Sequence, residues 1–352
     1  MTLDHRPLRS WIVQGLDLPK VSAWLDANIA GVEPPFAVDL IAGGRSNLTY
    51  LVCDANGRRL VLRRPPLGQV LATAHDMARE YRIIAAVGQT LVPVPPALGL
   101  CTDTSVNDAP FYVMGFVEGV VLDSVQRAAE LARELRVSAS EQLIDVLADL
   151  HAVDIDEVGL GDLAKRDGYI ERQVRRWSKQ WENSKTRELP AVDEVARRLA
   201  SRIPVQREAS IVHGDFRFGN CLTDTSAGRI AAVLDWELCT LGDPLADVGY
   251  LGVYWSDGDG GAALRANDPT PAGGFLPYAA VLERYANRTG RDLSEIEYYR
   301  AFSCWRLAVI SEGVYARYLH GAMGDQPLDL APMKAGAESL AERALEAVRG
   351  FA

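Results

Sequence analysis

Cysteine is scarce in this 352-residue chain, and the five copies, Cys53, Cys101, Cys221, Cys239 and Cys304, are odd in number and scattered. None stand in C-x-x-C spacing, so a disulfide framework or zinc knuckle is not expected, and a reducing cytoplasm is the natural compartment. Long apolar runs are missing too. No window approaches about 18 uninterrupted apolar residues, and the N-terminus has no basic stretch leading into an apolar core, so neither a transmembrane segment nor an export signal is expected. Positive charge is in deficit: 37 Lys and Arg against 47 Asp and Glu give a net charge of −10, which argues against a broad nucleic-acid surface. The five histidines, His5, His75, His151, His213 and His320, are too dispersed for a metal set. No internal repeat is evident. What remains is an ordinary globular composition, 48% hydrophobic and 24% charged, in a chain long enough for two lobes, monomeric or homodimeric.

The most informative segment is Val212-His213-Gly214-Asp215-Phe216-Arg217-Phe218-Gly219-Asn220, with Asp235 fifteen residues further on, inside Ala-Ala-Val-Leu-Asp-Trp-Glu. Phosphoryl transfer is mostly positioning and charge neutralisation, so it needs one carboxylate free to accept a proton and separate oxygen ligands for a metal. Asp215 is the candidate base, and Asn220 and Asp235 are the candidate ligands of Mg²⁺, which favours hard oxygen donors and keeps several waters. Arg217, two residues past the base, is placed to reach a transferring phosphoryl group.

The His-Gly-Asp-x-x-x-x-Asn pattern, the apolar strand ending Asp235-Trp236-Glu237, and Gly242-Asp243-Pro244-Leu245-Ala246-Asp247 together resemble the aminoglycoside phosphotransferase and choline-kinase-like family. Leu147-Ala148-Asp149-Leu150-His151 is similar to the helix end that precedes the catalytic loop in that group. The form the chain resembles most is the kinase domain fused to, or encoded beside, acyl-CoA dehydrogenases. The resemblance implies an α+β, two-lobed protein-kinase-like fold, with a small five-stranded antiparallel sheet lobe over residues 1–117 and a larger, mainly helical lobe over 118–352. It also implies a nucleotide, ATP or alternatively GTP, as phosphoryl donor, a small-molecule hydroxyl as acceptor, and magnesium.

Along the chain, Val21, Trp24, Leu25 and Ile29 predict a leading helix over 19–31. Strands follow at Phe36–Ile41, Leu48–Cys53 and Arg59–Arg64, the last two joined by an Asn56-Gly57 hairpin turn. Gly43 and Gly44 form a flexible turn able to lay backbone N–H groups over phosphates, with Ser46 and Asn47 at its tip to touch them. In the family the third strand carries a lysine that grips the nucleotide phosphates. Here Arg63 stands in that place, with Glu80 as its partner on a helix of about 20 residues starting near Val70. Ala97–Cys101 and Phe111–Val117 complete the sheet, and the second ends in a segment resembling the interlobe hinge, where Met114, Gly115 and Val117 would read the base.

Beyond the hinge the pattern is helical. Ser138 and Glu141 suggest a capping box opening a helix to His151, and Trp177 and Trp181 read as packing residues. Asp243-Pro244 marks a further helix start, and Asp247, one turn in, is placed to brace the catalytic loop. His213 is expected to brace backbone rather than move protons. Residues 257–274 read as a long mobile loop near the acceptor site, and helices are expected near 275–289, 294–320 and 333–349. Two acceptor chemistries stay open: carboxylates Asp257, Asp259 and Asp268 suit an aminoglycoside-like amine, whereas Tyr254, Trp255, Tyr298, Tyr299 and Trp305 suit an apolar groove for a hydroxyacyl-type metabolite. The expected activity is transfer of the γ-phosphate to a small-molecule alcohol. The alternative is a nucleotide-binding pseudokinase scaffold, for which Arg63 is the main support. Protein phosphorylation is disfavoured because the segment after Asp235 runs directly into Gly242-Asp243-Pro244.

Overall fold

The computed structural model describes residues 13–42, 47–67, 75–257, 267–319 and 330–351. Gly43, Gly44 and Ser46 of the expected phosphate turn, and Asp259, lie outside the described residues. The chain divides into two compact units, one formed by residues up to Glu118 together with Ala232–Glu237, the other by Gly119–Ala231 and everything from Leu238 onward. The segment 232–237 belongs with the first unit for a local reason: the Val233 N–H donates to the Pro93 carbonyl at 2.8 Å, and Asp235 pairs with Arg63.

The first unit is built on a five-stranded antiparallel sheet. Strands β1 (Ala37–Ala42), β2 (Leu48–Cys53), β3 (Arg59–Arg64), β4 (Ala97–Cys101) and β5 (Phe111–Gly115) lie in the order β1-β2-β3-β5-β4. Alternation along β2 buries Leu48, Tyr50 and Val52 in one core with Val21 and Leu25 of helix α1 (Leu18–Asn28). The β2–β3 register, Leu48 opposite Arg64 through Cys53 opposite Arg59, is set by its turn. There Oδ1 of Asp54 accepts the N–H groups of Asn56 and Arg58 at 2.9 and 2.7 Å, and Gly57 takes φ +80°.

Helix α2 runs from Met77 to Val87, and the start near Val70 expected for it lies outside the described residues. His75 and Asp76 are already non-helical, and the Asp76 carboxylate accepts the Arg79 N–H at 3.0 Å, an N-cap that starts the helix there. Glu80 therefore sits in the first turn. A short helix α3 (Thr104–Asn107) links β4 to β5.

The second unit is mainly helical: α4 (Val125–Ala129), α5 (Arg133–Ala152), α6 (Tyr169–Ser184), α7 (Pro190–Ser201), α8 (Leu245–Leu251), α9 (Tyr278–Thr289), α10 (Ile296–Leu319) and α11 (Ala331–Arg349). No described helix is long and apolar enough to cross a membrane. Short strands β6 (Val120–Val121), β8 (Cys221–Asp224) and β9 (Arg229–Val233) form one sheet, and β7 (Ser210–Val212) pairs with β10 (Thr240–Gly242). Helix α5 begins five residues before the anticipated Ser138, with no side-chain cap at Ala132. The expected capping box is overridden because Arg136 anchors the first turn, donating to the carbonyls of Leu131, Ala272 and Gly273.

Helix α10 is the hub, packing against α6, α7, α8 and α11. Its approach to α8 is close enough that a Cβ at Gly249 would lie 2.6 Å from the Tyr299 backbone carbon. Since α8 carries two residues of the site described below, this contact sets their placement. Gly249→Ala is expected to lower stability by roughly 1–3 kcal/mol, the usual cost of overpacking, measured by denaturant unfolding.

Candidate active site

In the second unit the loop after β7 is held from below by one carboxylate. Asp247, 1% exposed on α8, accepts the backbone N–H groups of His213 and Gly214 at 2.6 and 2.8 Å. Its third partner is His151 at the end of α5, whose Nε2 lies 3.3 Å away while Nδ1 meets the Tyr285 hydroxyl at 2.7 Å. Burial lowers the His151 pKa, so the ring is neutral, accepts from Tyr285 and donates to Asp247. Burial also works to raise the Asp247 pKa, but the bonds from His151 and Gly214 outweigh it and leave the carboxyl below its ordinary value.

The loop backbone demands glycine at 214. Gly214 has φ +85°, and a Cβ there would come 2.9 Å from the Leu238 carbonyl oxygen. Its own carbonyl accepts from Arg306 Nη2 of α10 at 2.5 Å. His213 is fully buried; its Nδ1 accepts the Asp215 N–H at 3.2 Å and its ring meets Phe216 edge-on.

Asp215 stands on this frame with both oxygens oriented. Oδ1 accepts from Arg217 Nε at 3.2 Å and from the Tyr250 hydroxyl, while Oδ2 accepts from Asn220 Nδ2 at 2.6 Å. The Asn220 amide also donates to the Asp215 carbonyl at 2.8 Å, so its Oδ1 is the atom left for a cation. Burial and the adjacent Asp215 carboxylate push the Tyr250 hydroxyl well above the usual phenol range, which keeps it a donor. The Arg217 guanidinium lies over the Tyr254 ring at 5.0 Å. Burial disfavours its charge, yet Asp215 and Tyr254 hold its pKa above the ordinary value.

The first unit carries a second charged cluster around Arg63 of β3. Its Nε lies 3.1 Å from Glu80 Oε2, an ion-pair contact rather than a well-aligned hydrogen bond, and its Nη2 reaches Asp235 Oδ1 at 2.5 Å and Glu237 Oε2 at 3.8 Å. Glu80, 2% exposed, also accepts from Asn47 Nδ2 at 2.8 Å and the Tyr112 hydroxyl at 3.1 Å. Desolvation raises its pKa, against the pull of Arg63. Asp235 itself has φ +65°, a region that costs side chains other than glycine energy and that Asp tolerates better than most. Among the described residues no group of three or more His, Cys, Asp or Glu converges as a metal cage would require.

The profile of the phosphotransferase enzyme family matches residues 38–296. The chain belongs to this family. It is 37% identical over 285 residues to acyl-CoA dehydrogenase family member 10 of Mus musculus, covering 79% of this chain and 26% of that protein, so it spans about a quarter of this relative's length. Among solved structures it is similar to a provisionally assigned aminoglycoside phosphotransferase from Ralstonia eutropha, with TM-score 0.79, 32% identity and coverage of 95% and 98% of the two chains. The GDP complex of aminoglycoside 2'-phosphotransferase-IIIa shares the fold, with TM-score 0.62, 16% identity and coverage of 93% and 97%. The α+β kinase-like fold implied by the motifs is therefore that of this chain.

Several anticipated site residues are otherwise engaged in this family member. Asn47, expected at a phosphate, donates its amide to Glu80 and to Glu237, at 2.8 and 3.3 Å. Met114 and Gly115 end β5, Val117 follows it, and the Gly115 N–H, expected to read a base, donates to the Pro96 carbonyl at 2.8 Å. Asp268 is fully buried, accepting from Ser256 and Thr270, so it is not free for an amine, while exposed Asp257 accepts the Tyr278 N–H at 2.7 Å through Oδ1. The expected aromatic groove is core instead: Tyr298, Tyr299 and Trp305 are buried, with polar atoms bonded to Leu199, Asp243 and Val192. Their spacing on α10 looks the same for either role, and the close packing of that helix decides between them.

Tyr250 and Arg306 escaped the sequence reading. Arg306 left a signal, a charge inside the apolar run Phe-Ser-Cys-Trp-Arg-Leu-Ala-Val of α10, whereas nothing local marks Tyr250.

The buried His151–Asp247 pair makes stability pH-dependent. His151 is neutral when folded but binds a proton near its ordinary 6.5 when unfolded, so acidification through that value favours the unfolded chain. Asp247, lowered from its ordinary 3.8, adds a second loss as pH falls through that value. Thermal midpoints should fall from pH 7 to about pH 5, and His151→Gln should flatten much of this slope. His75, likewise lowered by burial and by Arg63, leaves a residual slope in the variant.

Proposed function

We propose that this phosphotransferase-family protein is a kinase that transfers the γ-phosphate of ATP, or GTP, to a hydroxyl group of a small molecule. The observation that carries the reading is the Asp215 carboxylate, held on a buried frame with its oxygens aimed by Arg217, Tyr250 and Asn220. Such a group accepts the acceptor's proton as the oxygen attacks phosphorus. Arg217 neutralises charge on the phosphoryl group, and Arg63, oriented by Glu80, does so on the nucleotide's phosphates. Asn220 through Oδ1 and Asp235 through its carboxylate are the proposed ligands of Mg²⁺, whose chemistry when bound is to offset phosphate charge. That sparse set of one amide and one carboxylate suits an ion that retains waters and phosphate oxygens. His213 and Asp247 are structural supports. Gly43, Gly44, Ser46, Met114, Gly115 and Val117 keep their proposed nucleotide roles.

Of the two acceptor classes, an amine-bearing molecule and a hydroxyacyl-type metabolite, neither keeps its full expected set of binding residues, and both stay open. Buried Asp268 and the buried aromatic residues weaken both, and on the side of the hydroxyacyl class stands the name of the relative from Mus musculus, acyl-CoA dehydrogenase family member 10. A nucleotide-binding scaffold without transfer is the second reading, and the Arg63 contact on Asp235 favours it, since it covers one carboxylate oxygen.

The deciding measurement is ADP release from MgATP across a panel of hydroxylated metabolites. Asp215→Asn should keep nucleotide affinity within about twofold while turnover falls by about 100-fold or more. Equal turnover in the two proteins rejects Asp215 as base, and no acceptor raising the rate over background favours the scaffold. Gly219→Ala probes Arg217 separately, because a Cβ at 219 would lie 1.8 Å from Arg217 Nη1 and push the flexible guanidinium aside. Stability should stay within about 0.5 kcal/mol of wild type while turnover drops about tenfold.

A further inference from the structure

The hydrogen bonds to Asp215 are unequal at its two oxygens. Oδ1 receives two, from Arg217 Nε at 3.2 Å and from the Tyr250 hydroxyl, whereas Oδ2 receives one, from Asn220 Nδ2 at 2.6 Å. A carboxylate oxygen has two acceptor directions, so among the described residues Oδ1 is filled and Oδ2 keeps one open. The filling is enforced from behind. Tyr250 is 4% exposed, its ring lies under the Arg306 guanidinium at 4.8 Å, and Arg306 is itself tied to the Gly214 carbonyl at 2.5 Å. One arginine of α10 thus fixes both the loop that carries Asp215 and the phenol that engages it.

We propose that Tyr250 is a positioning residue which, with Arg217, occupies Oδ1 and leaves Oδ2 as the atom of Asp215 that receives the acceptor's proton. This rests on the reading of Asp215 as base. In the step it serves, the acceptor O–H bond breaks and its proton passes to Oδ2. The acceptor oxygen bonds to the γ-phosphorus, and the bond from that phosphorus to the bridging oxygen breaks, releasing ADP. Without the phenol, Oδ1 is left half-filled, the carboxylate rotates more freely, and the proton finds either oxygen in a less productive geometry.

The test uses the full chain with MgATP and water as the acceptor probe, following ADP release and MgATP affinity for wild type, Asp215→Asn, Tyr250→Phe, the double variant and Tyr298→Phe. The last removes a buried hydroxyl bonded to the Leu199 carbonyl, remote from the loop in sequence and in bonding. Tyr250→Phe should lower kcat about tenfold with KM for MgATP within about twofold and an unchanged thermal midpoint, while Tyr298→Phe keeps the wild-type rate. In the Asp215→Asn background, Tyr250→Phe should add no further loss, because its effect runs through that carboxylate. A wild-type rate in Tyr250→Phe, an equal further loss in the double variant, or a joint fall of rate, MgATP affinity and thermal midpoint would each overturn the proposal while Asp215 stands as base. Equal rates in wild type and Asp215→Asn would instead sink the base assignment and this inference with it.

Discussion

A single buried carboxylate organises the loop that carries Asp215. Taking Asp247 out of water is costly unless strong donors replace the solvent, and two backbone N–H groups and one neutral imidazole do so. The compensation runs in both directions. The same N–H groups belong to a tight loop that has no strand partner to satisfy them, and leaving them unpaired inside protein would cost about 1–3 kcal/mol each. Loop geometry and carboxylate ionisation are therefore one constraint, closed by Tyr285 on the far side of His151 and by Arg306 on the Gly214 carbonyl.

Upon that frame the Asp215 carboxylate is oriented by three residues from two places in the chain: Arg217 and Asn220 from the loop itself, and Tyr250 from α8. The Arg63 cluster follows a related logic in the other unit. A guanidinium with planar, spread donors can meet Glu80 and Asp235 together, which a single ammonium does less well, so arginine in place of the family's lysine is compatible with a folded, satisfied cluster. The left-handed φ of Asp235 belongs to this arrangement, a local cost at the residue whose carboxylate Arg63 holds.

Much of this was legible in one dimension. The strands Leu48–Cys53, Arg59–Arg64 and Ala97–Cys101 coincide with the pattern-based expectation; the period-two burial of the first and the Asn-Gly turn that joins it to the second are local signals. The pairing of Arg63 with Glu80 was anticipated from the family pattern. Local reasoning failed where distant residues intervened. The capping box at Ser138 lost to Arg136, which reaches carbonyls 136 and 137 positions away. Asn47 turned toward carboxylates rather than open phosphate space because Glu80 and Glu237 are brought beside it by the sheet and the returning segment.

From the sequence alone came the identities and spacing of the reactive groups, since acids, amides and glycines in a loop announce their chemistry by order along the chain. Which atoms face one another was decided only by the folded structure. Tyr250 reaches Asp215 across 35 residues, and Arg306 reaches Gly214 across 92. Aromatic residues of α10 that might have walled a groove became core instead. Such contacts depend on how helices pack, through close approaches such as Gly249 against Tyr299, and packing is a property of three-dimensional neighbours that no local pattern encodes.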